Sequence, residues 1–176
     1  MDKEFKKRYI IKLGLRLACA AAAGIILFVA LKSYGLGWLV SSAAGAAAFF
    51  VASLALKVHE LLAPGFDGVV TSKTVRYVTT QNKQNVPEYE LVVTDPRGRE
   101  HKDIFLDKED EGKLNRIEYY DHGERVRKHR GFKYFEKFDK SGKNSVVCID
   151  CGTLNPSMRE RCINCGLPLL RESIKE

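Results

Sequence analysis

The sequence has few of the residues that carry chemistry and none of their familiar arrangements. Its four histidines, His59, His101, His122 and His129, are scattered, and nothing near them marks a nucleophile or a metal. There is no phosphate-cradling Gly loop, no His-Glu-x-x-His and no nucleophile elbow. The expectation is therefore a protein that is not an enzyme. Cysteine is sparse, five in 176 residues, which excludes a secreted disulfide mini-protein. A hydrophobic content of 45% with 29% charged residues excludes a disordered polyelectrolyte. Acid is scarce at the N-terminal end. Residues 1–65 hold three Asp/Glu against eight Lys/Arg, a net of +5. Residues 66–140 hold fifteen against sixteen and residues 141–176 four against five, +1 each, which completes the total of +7. The basic excess thus sits in the apolar part, which argues against a histone-like protein.

What is present begins with two long apolar runs. Leu17 to Leu31 is fifteen residues without a charge, and twenty-two if counted from Ile10 through Lys12 and Arg16. Such a helix reaches ~33 Å, enough for a hydrocarbon core of about 30 Å. Lys12 and Arg16 lie four apart on one face, and their long stems can carry the charges to the headgroups. Leu36 to Leu56 is a second run of twenty-one uncharged residues. Only Lys32, Ser33, Tyr34 and Gly35 separate the two, so the helices must be antiparallel. The basic residues Lys3, Lys6, Lys7 and Arg8 precede the first span and Lys57, Lys73 and Arg76 follow the second, while the loop holds only Lys32. The positive-inside rule then gives a two-pass protein of the cytoplasmic (inner) membrane with both termini cytoplasmic. A cleaved signal peptide fits less well, because Lys12 and Arg16 interrupt the apolar region and a second full span follows at once. The second run is rich in Ala and Gly from Ala43 to Ala48, which suits close packing within the hairpin or a homo-oligomer formed through this helix.

At Pro64-Gly65 the composition changes to Val, Thr, Tyr and Phe with turn residues between. Strands are expected near Gly68–Thr80, Glu88–Thr94, Arg99–Leu106, Asn115–Tyr120 and Gly131–Phe138, with one helical turn in the acidic run Asp107 to Leu114. Tyr89, Leu91 and Val93 alternate toward a core. Asp95-Pro96-Arg97-Gly98 has the residues of a tight turn and makes a hairpin. The fold class expected is a membrane α-hairpin, a small all-β domain (barrel or sandwich) and a C-terminal zinc ribbon. The domains expected are 1–65, 66–138, a hydrophilic linker 139–145, a ribbon 146–170 and a tail 171–176. Gly68-Val69-Val70, then Tyr89-x-Leu91-Val92-Val93-x-Asp95-x-x-Gly98, then Tyr119-Tyr120, resembles small β domains that follow membrane helices in bacterial families of unknown function. That resemblance implies no activity.

Arg125, Arg127, Lys128, Arg130, Lys133 and Lys137 are interleaved with Phe132, Tyr134, Phe135 and Phe138. Basic side chains among aromatics can hold anionic lipid headgroups or grip phosphates and stack bases. The plain alternative is an ordinary strand with aromatics in the core and charges in solvent. Arg125, Arg127, Lys128, Arg130 and Lys133 are the candidate anion or lipid contacts.

Cys148-x-x-Cys151 and Cys162-x-x-Cys165 are ten residues apart. Each Cys-x-x-Cys turn presents two sulfurs to one side of a metal, and four soft donors suit a tetrahedral zinc. Gly152 and Gly166 follow the pairs, where the backbone must turn so that amides point at the thiolates. A rubredoxin-type iron site would use the same ligands. Cys-Ile-Asp-Cys-Gly-Thr-Leu-Asn-Pro followed by Cys-Ile-Asn-Cys-Gly-Leu-Pro-Leu resembles the short zinc ribbon at the ends of many bacterial and archaeal proteins. The resemblance covers Cys148 to Leu169 and implies one structural zinc. RanBP2-type fingers, which bind RNA or ubiquitin, carry Trp where this chain has Val146. The function expected is a membrane-anchored scaffold presenting the β domain and ribbon to a protein partner. The alternative is a membrane-tethered nucleic-acid binder, which the near-neutral charge of residues 66–176 opposes.

Overall fold

The structure, a computed structural model, describes residues 3–79, 85–106 and 116–174. The chain divides into two compact units, 1–63 and 64–176.

The first unit is helical. Helix α1 runs Lys3–Ser33 and α2 Trp38–Ala55, and both are long and apolar enough to cross a membrane. The α2 sequence is almost free of side-chain polarity. Its serines turn their hydroxyls back to the preceding turn, Ser42 to Trp38 O at 2.8 Å and Ser53 to Phe49 O at 2.8 Å, which satisfies them within the helix. The two helices touch backbone to backbone at Gly24 and Gly45: a Cβ on Gly24 would lie 2.8 Å from Gly45 O, and one on Gly45 would lie 3.0 Å from Gly24 O. The small residues at this crossing therefore serve the hairpin itself. Past α2, Lys57 takes a left-handed conformation (φ 53°) and starts a short helix that the sequence did not announce, α3, Val58–Leu62. It buries Val58 and Leu61. The guanidinium of Arg16 donates to Lys57 O at 3.0 Å, which fixes this turn against α1.

The second unit is built on an antiparallel sheet of β1 (Phe66–Thr79), β2 (Asn85–Thr94), β3 (Glu100–Leu106), β4 (Arg125–Lys128) and β5 (Phe135–Lys137), in the order β3-β2-β1-β4-β5. The Asp95–Gly98 turn forms as expected, with Gly98 N donating to Asp95 O at 2.9 Å and Gly98 at φ 76°. The Asp95 carboxylate holds it from inside, accepting from the amides of Arg97 and Arg99 and from the Arg99 guanidinium. Tyr89, Leu91 and Val93 are buried, as their alternation requires. One face carries the main core of Val70, Leu91, Val93, Val126 and Phe135. On the other, the buried Glu90 pairs with the exposed Arg76 on β1 and Lys102 on β3 at 3.1 and 2.9 Å, a cross-strand charge ladder.

Three expectations need correcting. No sheet among the described residues closes on itself. The core face is covered instead by Tyr119, Tyr120, Val147 and the half-buried Leu154. Next, the segment expected as a strand at Asn115–Tyr120 forms a single helical turn, α4, Arg116–Tyr119. Tyr119 and Tyr120 are consecutive and both buried, which the alternating faces of a half-buried strand do not permit. Finally, of Gly131–Phe138 only Phe135–Lys137 pairs, and its partner is the basic segment Arg125–Lys128. The acidic run expected to hold a helical turn lies outside the described residues.

The C-terminal part forms a second, two-stranded sheet of β6 (Ser145–Val147) and β7 (Leu154–Pro156). Contacts cross the segment 139–145. Val147 and Leu154 enter the sheet core. Lys140 N donates to Ser173 Oγ at 3.0 Å, and Ile174 N donates to Phe138 O at 2.9 Å.

Candidate metal centre

The two Cys-x-x-Cys turns have the same internal construction. Gly152 N donates to Cys148 O at 2.9 Å, and Gly166 N donates to Cys162 O at 3.0 Å. Cys148 N donates to Thr153 O at 3.0 Å, and Cys162 N donates to Leu167 O at 2.8 Å. Gly152 and Gly166 both have positive φ, 76° and 71°, so glycine at these positions is a backbone requirement. Each turn thus aims two sulfurs the same way, and the two turns face each other.

All four sulfurs lie within 4.8 Å of one another. Cys148 Sγ is 3.6 Å from Cys165 Sγ, and Cys151 Sγ is 3.5 Å from Cys162 Sγ. These are not disulfides, whose sulfurs bond at about 2.05 Å. Four sulfurs around one ion with bonds of about 2.3 Å would stand about 3.8 Å apart in a tetrahedron. The observed spacing fits that figure, and the cluster is able to bind a metal ion. Cys148 and Cys162 are buried and the other two half-buried, with Leu169 packed against them. Burial pushes the Cys148 thiol well above its ordinary value, and it pushes Cys165 up to about 11. Burial opposes the Cys162 thiolate as well, but the amides of Cys165 and Asn164 donate to it and bring it down to about 7. A cation is what would let all four ionise together.

Asn155, which the sequence places between the cysteine pairs, is built into the cluster. It is 1% exposed. Its Nδ2 donates to Thr153 O at 2.7 Å and lies 3.6 Å from Cys162 Sγ, and its Oδ1 accepts from Ile163 N at 2.8 Å. One side chain thereby ties the first turn to the second and supports a ligand from outside the coordination shell. The only signal in the sequence was its place between the cysteine pairs.

The first turn is also seated on the sheet. Tyr134 N donates to Ile149 O at 3.0 Å. The Arg116 guanidinium lies between the rings of Phe105 and Tyr134, 3.7 and 4.3 Å from their centres. Gly152 meets this stack so closely that an added Cβ would collide with Arg116 Nη1 and lie 2.6 Å from the Tyr134 ring. No family model matches this chain, and no curated protein or solved structure matches it.

The candidate anion contacts lie in and after β4, and the fold already occupies several of them. Arg127 forms a two-pronged pair with Asp67, 2.6 and 2.9 Å, which holds the Asp67 carboxyl below its usual range. Arg125 and Arg127 both stack on Phe138, at 4.5 and 4.9 Å. Lys128 donates to Lys133 O. Arg130 and Lys133 are exposed. Lys137, which the sequence placed in the same basic stretch, is fully buried: it pairs with Glu124 at 2.6 Å and donates to Tyr119 O at 2.9 Å. Beside it, Glu136 lies 2.5 Å from His129 Nε2 and 2.6 Å from Lys140 Nζ. Burial would raise the Glu136 carboxyl, but these two partners hold it below its ordinary value.

Proposed function

We propose that this chain is a membrane-anchored, non-enzymatic interaction protein whose soluble unit is clamped by one structural zinc and offered to a protein partner. The observation that carries this reading is the four-sulfur cluster. Four cysteine ligands complete a tetrahedral shell and leave no position for water or substrate, which is the structural rather than the catalytic type of zinc site. Two helices long and apolar enough to span a membrane supply the anchor, and the asymmetry of basic residues supports both termini lying on the cytoplasmic side of an inner membrane. The zinc-ribbon resemblance supports zinc over iron. The nucleic-acid alternative loses support, because Arg127 and Lys137 are taken up by Asp67 and Glu124. Homo-oligomerisation through α2 is weakened in the same way, since Gly45 is engaged within the hairpin.

The test has two stages. Purified protein is analysed for metal, with one equivalent of zinc and no iron expected. Proteins crosslinked to the full chain in its native membrane are then compared with those crosslinked to Cys162→Ser. Loss of specific neighbours supports the reading. An identical set in a variant that has lost its metal would remove the role given to the cysteine module.

A further inference from the structure

The end of the hairpin away from its loop carries more structure and charge than an anchor needs. Helix α1 has 31 residues and α2 has 18, so α1 extends beyond its partner by thirteen residues, ~20 Å. The Arg16–Lys57 hydrogen bond marks where the overhang begins. From there back to Lys3 stand six basic residues, Lys3, Lys6, Lys7, Arg8, Lys12 and Arg16, against one acid, Glu4. Ile10, Ile11 and Leu15 are exposed among them, at 65%, 52% and 65%. The short helix α3 also packs here and leaves Leu62 exposed.

We infer that this overhang is a binding site for anionic phospholipid headgroups. The inference rests on the membrane reading given above. The charge calls for an anionic partner, and the exposed isoleucines and leucine decide which one. With the span beginning at Ile10, these apolar side chains enter the acyl region and hold the basic residues beside them at headgroup level, where the anion within reach is the lipid's phosphate and not a free phosphate or a nucleic acid. The boundary between headgroups and acyl chains satisfies both at once. The anionic surface also explains why the basic excess is concentrated in this part of the chain, because each Lys or Arg near such a surface is worth about fivefold in affinity at moderate salt. The interaction belongs to the hairpin and not to the basic aromatic stretch of the sheet unit.

The full chain is reconstituted in phosphatidylcholine vesicles containing spin-labelled phosphatidylcholine or spin-labelled phosphatidylglycerol. The fraction of each label immobilised by the protein is read by electron paramagnetic resonance. Phosphatidylglycerol should be preferred severalfold at low salt, and the preference should collapse in high salt. Replacing Lys3, Lys6, Lys7 and Arg8 together by Gln, a good helix former, should bring the two labels to equal immobilisation. Arg130→Gln with Lys133→Gln should leave the preference intact. Equal immobilisation in the wild-type protein overturns the inference while leaving the membrane anchor standing. A protein that will not stay in pure phosphatidylcholine vesicles overturns both. Loss of the preference in the Arg130/Lys133 variant moves the site to the sheet unit and refutes the assignment. So does displacement by excess inorganic phosphate or an oligonucleotide at constant ionic strength, which would mean that a soluble anion is the ligand.

Discussion

Cys162→Ser is expected to weaken the sheet as well as the metal cluster. The variant replaces a soft thiolate by a poor ligand and opens a coordination position, and the second turn then loses its anchor. A module of this size cannot hold itself together, so its folding energy is the metal's. The sheet then loses what the module contributes to it. Val147 is 4% exposed and sits with Val70, Leu91, Val93, Val126 and Phe135, and Leu154 packs against the same cluster. Uncovering one full and one half-buried aliphatic side chain costs about 3 kcal/mol. The Tyr134 N to Ile149 O hydrogen bond adds about 1 kcal/mol. A loss of about 4 kcal/mol is a large part of a typical domain's stability, and for a unit of this size it corresponds to a fall of roughly 15–20 °C in Tm. The assay is metal analysis, thermal unfolding and hydrogen exchange on the full chain in detergent, with Cys19→Ser as the neutral control. Exchange should quicken at Leu91, Val93 and Val126, far along the chain from the substitution. If the variant loses its metal while these amides and Tm stay unchanged, the shared core is refuted and the module is independent. If it keeps a full equivalent of metal, the four-cysteine site itself is refuted.

Four other outcomes follow from single contacts. Glu136→Gln leaves Lys140 buried without its counter-charge, so chemical denaturation should show a loss of about 3 kcal/mol, and an unchanged midpoint would mean that the pair is not buried in solution. Gly24→Leu places a side chain against the Gly45 carbonyl and should cost the hairpin about 1–3 kcal/mol, read as a lower Tm in detergent, whereas Ala46→Leu on the exposed face should be neutral. Asn155→Ala should reduce metal affinity about 10–100-fold in a chelator competition while the cysteines remain intact. On acidification the sign is fixed by Asp95, whose carboxyl is held well below its ordinary 3.8 because the Arg99 amide and guanidinium and the Arg97 amide outweigh its desolvation. That stabilisation is complete above pH 3.8 and is lost as pH falls below it, so wild type and Asp95→Asn should differ at neutral pH and converge in acid; a constant gap would exclude the carboxylate as the cause.

Legibility varied with how local the deciding physics was. The hairpin, the Asp95–Gly98 turn and the cysteine turns are set by runs, φ requirements and ligand spacing confined to a few residues, and each reads directly from the sequence. The alternation of Tyr89, Leu91 and Val93 likewise gave the buried face of β2. Where the outcome depends on a distant partner, the sequence was silent. Tyr119-Tyr120 has strand-like composition, yet a helical turn lets both rings reach the core, and Tyr120 can then donate to Phe135 O at 2.8 Å. Lys137 looks like one more surface lysine until Glu124 and Tyr119 O are found around it. Lys140 and its neighbours have the composition of a linker, but Glu136, Glu172 O and Ser173 close over them. Lys137 and Lys140 read as solvated because the carbonyls that receive them, Tyr119 O and Glu172 O, lie far away along the chain.

The same accounting separates the two kinds of basic residue in this protein. In the sheet unit, basic side chains answer acids that the fold itself supplies: Arg127 meets Asp67, Lys137 meets Glu124, Lys140 meets Glu136, and Arg76 and Lys102 share Glu90. These pairs are satisfied internally and give the unit its near-neutral charge. At the foot of the hairpin six basic residues face one acid across residues 3–16. Lys3, Lys6, Lys7 and Arg8 are all exposed, so this excess faces whatever surrounds that end of the chain. The asymmetry of charge therefore separates the two units: the hairpin carries a net basic excess, and the sheet unit, with its cysteine cluster, is close to neutral.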